Sequence, residues 1–174
     1  MKPASLFFPL LLGAAVPAAH AHVDAVGSQG FVLTNTAVTT VSAPQLWEYL
    51  VNDVDQWWPE DHTWWEGTLS IDPQAGGCFC EKNDSNEALH MQVSYVQPPF
   101  LLRMTGGLGP LQQLGLQGTL NWQITPAEDG SHISLSYHVS GFYPQGFEKL
   151  ANIVDQVQAG QLQALATYAD RQQQ

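Results

Sequence analysis

Alternation of apolar and polar residues indicates a protein built mainly from short strands. The pattern is clearest at 132–141, where Ile133, Leu135, Tyr137 and Val139 fall on one face and His and Ser residues on the other. This is the period of a strand with one packed and one solvated face. Turn-forming Gly, Pro, Asn and Asp residues separate similar segments. Together they predict strands at 30–41, 67–71, 78–82, 88–96, 101–106, 118–125 and 132–141.

Three segments carry helical signals instead. Ser42 as an N-cap and Pro44 in the first turn begin a short helix over 45–51. The Trp-rich segment 53–65 predicts a second short helix and a connection whose indoles fold onto the core. Apolar residues recur at helical spacing over 150–168 and predict a long amphipathic C-terminal helix. Its solvated face is predicted to carry Gln156, Gln158, Gln161, Gln163 and Asp170.

The N-terminus has the pattern of a secretory signal peptide. Lys2 precedes an apolar stretch at 6–16, and Ala19, His20 and Ala21 form a small-residue cleavage site. The apolar stretch is about half the roughly 20 residues that a membrane span needs. We therefore predict cleavage after Ala21 and an exported protein, periplasmic or secreted, with no stable membrane anchor.

The rest of the chain has the length of a single domain with a substantial core. No internal repeat or linker divides it. We predict a signal peptide at 1–21, an N-terminal segment at 22–29, one domain at 30–171 and a frayed tail at 172–174.

The charge balance argues against nucleic acid as a partner. The chain has 16 Asp and Glu against 5 Lys and Arg, a formal net charge of −11. Loss of Lys2 with the signal peptide would make it one charge more negative. Binding to phosphates needs clustered basic residues, which this composition does not supply.

Cys78 and Cys80 lie two apart in a predicted strand, so their thiols share a face. A disulfide between them would close a very small loop, at the limit of disulfide geometry. A hairpin symmetric about Ser85 would place Cys80 opposite His90 and Cys78 opposite Gln92, clustering both thiols with the imidazole. Such a cluster suits zinc or cuprous copper, although no fourth ligand is evident. A disulfide, inert thiols and a metal site therefore remain as alternatives.

The order of elements and several short motifs resemble those of the SRPBCC superfamily, also called START-like. The motifs are Ala43-Pro44 with Trp47, Trp57-Trp58-Pro59, Gly76-Gly77, Val93–Val96 with Pro98-Pro99, Leu102-Arg103, and Gly130. That superfamily includes the birch pollen allergen type, the polyketide cyclase and dehydratase type, and activators of a chaperone ATPase. More narrowly, the chain is similar to uncharacterised exported bacterial members. The resemblance implies an α+β helix-grip fold: a curved antiparallel sheet of about seven strands around a long C-terminal helix, with two short helices after the first strand.

The resemblance also implies an internal cavity between sheet and helix that binds a small apolar molecule, lipid-like or polyketide-like. The Gly-rich and Leu-rich segment 106–118 would suit a lid over the cavity mouth or a contact surface. The predicted cavity residues are Trp57, Trp58, Trp65, Phe100, Met104, Leu111, Leu114, Trp122, Tyr137, Ile153 and Val157.

No set of nucleophile, base and orienting residue assembles in the sequence. Cyclase-type relatives use acid and base groups inside the cavity, and the leading candidates here are Glu81 and Glu66, beside Arg103, Tyr137 and His90. Glu81 is favoured because it alternates with Cys80 and falls on a face expected to be apolar. Our leading hypothesis is a binding protein that uses no cofactor. A cyclase- or dehydratase-like enzyme and a thiol-based metal or redox site are the alternatives.

Overall fold

The fold is α+β, with one antiparallel sheet and one long helix packed against it. The computed structural model describes residues 22–173, so the predicted signal peptide lies outside the described residues. The strands are β1 (Val23–Gly27), β2 (Gly30–Thr39), β3 (Thr68–Ile71), β4 (Cys78–Asn83), β5 (Asn86–Gln97), β6 (Leu101–Gly106), β7 (Gln117–Ala127) and β8 (Gly130–Ser140). The helices are α1 (Ala43–Asn52), α2 (Val54–Trp57), α3 (Pro110–Gln113) and α4 (Glu148–Arg171), with a 3-10 turn at Glu60–His62.

The eight strands form a single open sheet in the order β1-β2-β8-β7-β6-β5-β4-β3. All neighbouring strands within it are antiparallel. Two predictions need correction: the sheet has eight strands rather than about seven, and the two short helices follow the second strand. The additional strand is β1, which pairs with β2 through a tight turn between Gly27 and Gly30.

The core lies between one face of the sheet and the helices. Strand residues that alternate inward, such as Leu33 on β2 and Leu135 on β8, are fully buried. Leu46 and Leu50 of α1 and Leu162 of α4 close the core from the other side. The alternation in the sequence therefore corresponds to a sheet with one covered face.

The solvated face predicted for α4 is wrong at two positions. Gln158 and Gln161 are buried, whereas Ile153, assigned to the apolar face, is half exposed. Asp155 is also buried and accepts a hydrogen bond of 3.1 Å from the Asn35 amide of β2. The inward face of α4 therefore carries polar groups among its apolar residues. None of the helices between residues 22 and 173 is long and apolar enough to cross a lipid bilayer.

Candidate functional site

A partly open cavity of about 260 Å³ lies between the sheet and α4. Its wall is largely apolar and is completed by the segment after α2 and by the loop around α3. The lining residues are Trp58, Asp61, His62, Thr63, Trp64, Phe79, His90, Leu108, Gly109, Pro110, Leu111, Tyr137, Leu150, Ile153, Val154, Val157, Gln158 and Gln161.

Five of the residues that we predicted for a cavity line this one: Trp58, Leu111, Tyr137, Ile153 and Val157. Six others lie elsewhere. Trp57, Met104 and Trp122 are buried in the core, and Trp65, Phe100 and Leu114 are exposed on the surface.

A chain of aromatic rings connects the core to the cavity. Trp122 contacts Trp57, with ring centroids 5.8 Å apart, and Trp57 contacts Trp58 at 5.5 Å. Trp58 lies edge-on to Phe79 at 4.9 Å, and Phe79 lies 5.2 Å from the His90 ring. The last three rings form one wall of the cavity. Their packing supplies the rigid apolar surface that ligand pockets need.

The predicted lid segment 106–118 covers part of the cavity. Leu108 and Leu111 are buried at its inner side, while Leu114 is exposed. The Tyr137 hydroxyl of β8 fixes the beginning of the segment, donating to the Gly106 carbonyl at 2.9 Å and accepting from the Leu108 N–H at 3.0 Å. Burial raises the pKa of Tyr137 to about 12, against a smaller opposing effect of the Leu108 N–H. Tyr137 is therefore a neutral anchor for this loop.

A close backbone approach makes room for Tyr137. Gly118 of β7 lies against its ring, and a Cβ at position 118 would lie 2.5 Å from a ring carbon of Tyr137. Only glycine fits there without displacing the tyrosine.

Glu81 of β4 is fully buried and accepts four hydrogen bonds. The N–H groups of Trp64, Trp65 and Gly67 donate to its two oxygens at 2.8, 2.8 and 3.1 Å, and His90 Nε2 lies 3.0 Å from Oε2. A Cβ on Gly67 would lie 3.0 Å from the carboxylate, so glycine permits this approach. Burial alone raises the pKa of Glu81, but the four hydrogen bonds outweigh it and hold the pKa below 4.5. Glu81 is thus an ionised clamp for the loop that carries Trp64.

His90 of β5 lies between this clamp and the cavity and is 4% exposed. It occupies a β-bulge, since Phe79 pairs with Met91 and Cys80 with Leu89. The bulge turns His90 toward the covered face of the sheet. Burial lowers the pKa of His90 below 6.5, and the hydrogen bond and charge of Glu81 oppose this only in part. The imidazole is therefore neutral at pH 7.

Two glutamines of α4, Gln158 and Gln161, add polar groups to the cavity wall. The two residues are 1% and 3% exposed to solvent, respectively. Neither amide oxygen has a hydrogen-bond partner in the described part of the chain. The Gln161 amide nitrogen lies 3.4 Å from His62 Nδ1. Unpaired buried carbonyls are costly, and these two oxygens are shielded within the cavity wall.

Cys78 and Cys80 are joined by a disulfide, with their Cα atoms 5.5 Å apart. The predicted pairing of Cys80 with His90 is wrong. The hairpin is centred between Asp84 and Ser85, so Cys80 lies opposite Leu89. The bulge then shifts the register by one residue, and Cys78 lies opposite Gln92 as predicted. His90 consequently lies against Glu81 and not with the two sulfurs. Among residues 22–173, no group of three or more His, Cys, Asp or Glu is arranged to hold a metal ion.

The other two acid–base candidates lie outside the cavity. Glu66 is exposed in the turn before β3, at φ 52°. Arg103 of β6 donates to the Asn121 side chain at 2.7 Å and lies over the Tyr95 ring. Its position alternates with buried Leu102 and Met104, so it belongs to the opposite face of the sheet.

Sequence reasoning missed His62, Trp64 and Leu108 as cavity residues, and it placed Gln158 and Gln161 in solvent. His62 and Trp64 come from an irregular segment without periodicity, which gives no facing signal. The two glutamines lie at helical spacing from Leu162 and Leu165, which are buried. That spacing was the signal in the sequence that could have placed them on the inward face of α4.

Comparison with solved structures shows the same fold in several bacterial proteins. Protein MLL2253 from Mesorhizobium loti is similar with a TM-score of 0.60 at 18% identity, covering 80% of this chain and 97% of its own. CalU16 from Micromonospora echinospora gives 0.57 at 12% identity, covering 90% and 87%. EF2215 from Enterococcus faecalis, a conserved protein of unknown function, gives 0.56 at 14%, covering 86% and 77%. No protein-family model and no curated protein matches the sequence.

Proposed function

We propose that this chain is an exported member of the SRPBCC superfamily that binds a compact, mainly apolar small molecule in the cavity beside α4. The cavity carries the proposal: its wall is aromatic and aliphatic, with a few polar groups at defined places. This combination is typical of small-molecule sites. Export is supported by the signal-peptide pattern at 1–21, and the superfamily assignment by the motifs and the shared fold.

The size of the cavity limits the ligand. At about 260 Å³ it lies just below the range of roughly 300–1,000 Å³ typical of drug-sized ligands. An extended acyl chain or a large polyketide exceeds this space. A molecule of one or two rings fits it, and the aromatic wall of Trp58 and Phe79 favours a flat one.

Titration with 2-methylnaphthalene tests the proposal directly. Because Trp58 and Trp64 line the cavity, we expect their indole N–H resonances to shift saturably in NMR spectra, while that of Trp47 on α1 stays in place. The Trp58 N–H donates to the His62 carbonyl at 3.2 Å. Both residues line the cavity, so a ligand that contacts either one changes the environment of this proton and shifts its resonance. Absence of saturable shifts, or shifts confined to residues remote from the cavity, would contradict the proposal.

A cyclase- or dehydratase-like reaction is the second candidate function. The observation that favours it is the buried Glu81–His90 pair at the cavity wall, because buried imidazole–carboxylate pairs suit proton transfer. The two functions differ in outcome: a binding protein returns its ligand unchanged, whereas an enzyme returns a product. Native mass spectrometry of protein from its own host, before and after incubation with a recovered ligand, separates them.

The unpaired amide of Gln158 gives a prediction about stability. Replacing it by Met keeps the length and removes a buried carbonyl without a partner. We expect Gln158→Met to raise the free energy of unfolding by about 1 kcal/mol in the empty protein, measured by urea denaturation. The matched variant Gln156→Met, on the exposed face of α4, should change it by less than about 0.5 kcal/mol. A clear loss of stability in Gln158→Met would show that this amide is well paired.

A further inference from the structure

We infer that the ligand carries a weakly acidic hydroxyl, as in a phenol or an enol, and that this hydroxyl donates a hydrogen bond to Nδ1 of His90. The inference rests on the proposed function and names the chemical class of the ligand. It follows from the hydrogen bonding of His90, from the state of the other polar groups and from the shape of the wall.

The contact with Glu81 determines which nitrogen of His90 carries the proton. A carboxylate only accepts hydrogen bonds, so Nε2, 3.0 Å from Glu81 Oε2, must be the donor. In the neutral ring Nδ1 then holds a lone pair. Nδ1 has no hydrogen-bond partner within residues 22–173. Because the ring lines the cavity, this lone pair is available to a ligand, and Glu81 is its positioning residue.

The other buried polar groups of the cavity are less suited to this role. The Tyr137 hydroxyl already donates and accepts within the loop at 106–108. The amide oxygens of Gln158 and Gln161 are shielded even from water and must turn to meet a ligand. His62 Nδ1 is already in contact with the Gln161 amide. Asp61 also lines the cavity, but its side chain is exposed to solvent. Among the buried groups, His90 is thus the one that can accept a hydrogen bond from a ligand without rearrangement.

The wall beside His90 accounts for the aromatic body of the ligand. Phe79 stacks obliquely on His90, and Trp58 lies edge-on to Phe79. A flat ring placed against these two aromatic residues would bring a hydroxyl on its edge to the imidazole. Aromatic contacts of this kind add to simple area burial.

The test compares two ligands of nearly equal size, 2-naphthol and 2-methylnaphthalene, by calorimetry. The ratio of their affinities isolates the hydroxyl. We expect His90→Gln to lower the preference for 2-naphthol by about tenfold relative to the wild type, since one buried acceptor is lost. Glutamine places an amide N–H near the position of Nε2, so Glu81 keeps a donor. Its amide oxygen is an acceptor too, but it does not occupy the position of Nδ1.

The control is the same substitution at an exposed histidine of the outer face, His138→Gln, which should leave the ratio unchanged. An unchanged ratio in His90→Gln, or a loss seen in His62→Gln instead, would overturn the inference. If neither ligand binds the wild type, the proposed function itself fails. Binding of 2-methylnaphthalene to each variant also reports that its cavity has formed.

The pH profile of ligand affinity in the wild type provides an independent readout that leaves His90 in place. His90 accepts only when neutral, and its pKa lies below 6.5. Affinity for 2-naphthol should be constant from pH 6.5 up to the alkaline pH at which its own hydroxyl ionises, and should fall as the pH drops through the lowered pKa. Affinity for 2-methylnaphthalene stays flat. Glu81 faces His90 from β4, Asp61 and His62 line the cavity from the segment after α2, and Tyr137 from β8. Repeating the profile in His62→Gln removes the other histidine, and a flat 2-naphthol profile there would contradict the inference.

Discussion

Replacing Glu81 by Gln should lower the free energy of unfolding by about 3 kcal/mol or more, measured by urea denaturation at pH 7. The carboxylate has no contact with water and accepts three backbone N–H groups and His90. An amide turns one acceptor oxygen into a donor, which then faces N–H groups that have no other partner. The loop carrying Trp64 loses its anchor, so the variant should also bind cavity ligands more weakly.

Glu87→Gln is the matched control for this variant. Glu87 lies on the neighbouring strand and is exposed in an ion pair of 2.9 Å with Lys82. Exposed pairs contribute little, so its loss should change stability by less than about 0.5 kcal/mol. Equal effects of the two substitutions would show that the clamp does not stabilise the loop.

The same clamp predicts how stability depends on pH. Glu81 has a folded-state pKa below 4.5, so its contribution is present above pH 4.5 and is lost as the pH falls through the lowered value. His90 has a folded-state pKa below 6.5, so the unfolded chain binds its proton first and stability also falls from pH 6.5 downward. Thermal midpoints should therefore decline in two windows, the upper one absent in His90→Gln and the lower one absent in Glu81→Gln.

Filling the cavity should abolish ligand binding without unfolding the protein. Val157 of α4 is half-buried on the cavity wall, and an indole at this position would occupy the space that a ligand needs. We expect Val157→Trp to weaken binding of 2-methylnaphthalene by at least about tenfold, with stability within about 1.5 kcal/mol of the wild type. Calorimetry measures the first effect and urea denaturation the second.

Gln156→Trp adds the same side chain to the exposed face of the same helix. It controls for any general effect of a new indole and should leave binding unchanged. Retention of full affinity in Val157→Trp would mean that the ligand binds elsewhere. The proposed function would then have to be abandoned.

Much of the fold could be predicted from the sequence because alternation and helical spacing report directly on a sheet with one covered face. The strand β1 was not predicted because of its position at the edge of the sheet. Val23 is half-buried and the other four residues of this edge strand are exposed, so no apolar alternation exists to detect. The bulge at His90 escaped for a related reason, since counting outward from a turn assumes an unbroken register.

The candidate site was less predictable, because it combines apolar walls with buried polar groups. Glu81 could be placed on an apolar face because it alternates with Cys80 and shares the face of Phe79. Its three backbone donors, however, belong to an irregular loop that no pattern describes. Gln158 and Gln161 point inward although their polarity suggests solvent. A pattern of hydrophobicity detects packing, and it assigns polar residues to the surface even when a cavity gives them another environment.

The disulfide between Cys78 and Cys80 lies beside the wall of the cavity, so the redox environment of the protein affects the ligand site. Cys78 and Cys80 flank Phe79, whose ring forms part of the cavity wall. Thiols stay reduced in a typical bacterial cytoplasm and oxidise beyond it. In the exported protein that we propose, this wall would therefore be covalently fixed only after translocation. Protein made in a reducing cytoplasm and protein made in an oxidising compartment are then chemically different at the ligand site, and binding should be measured on the oxidised form.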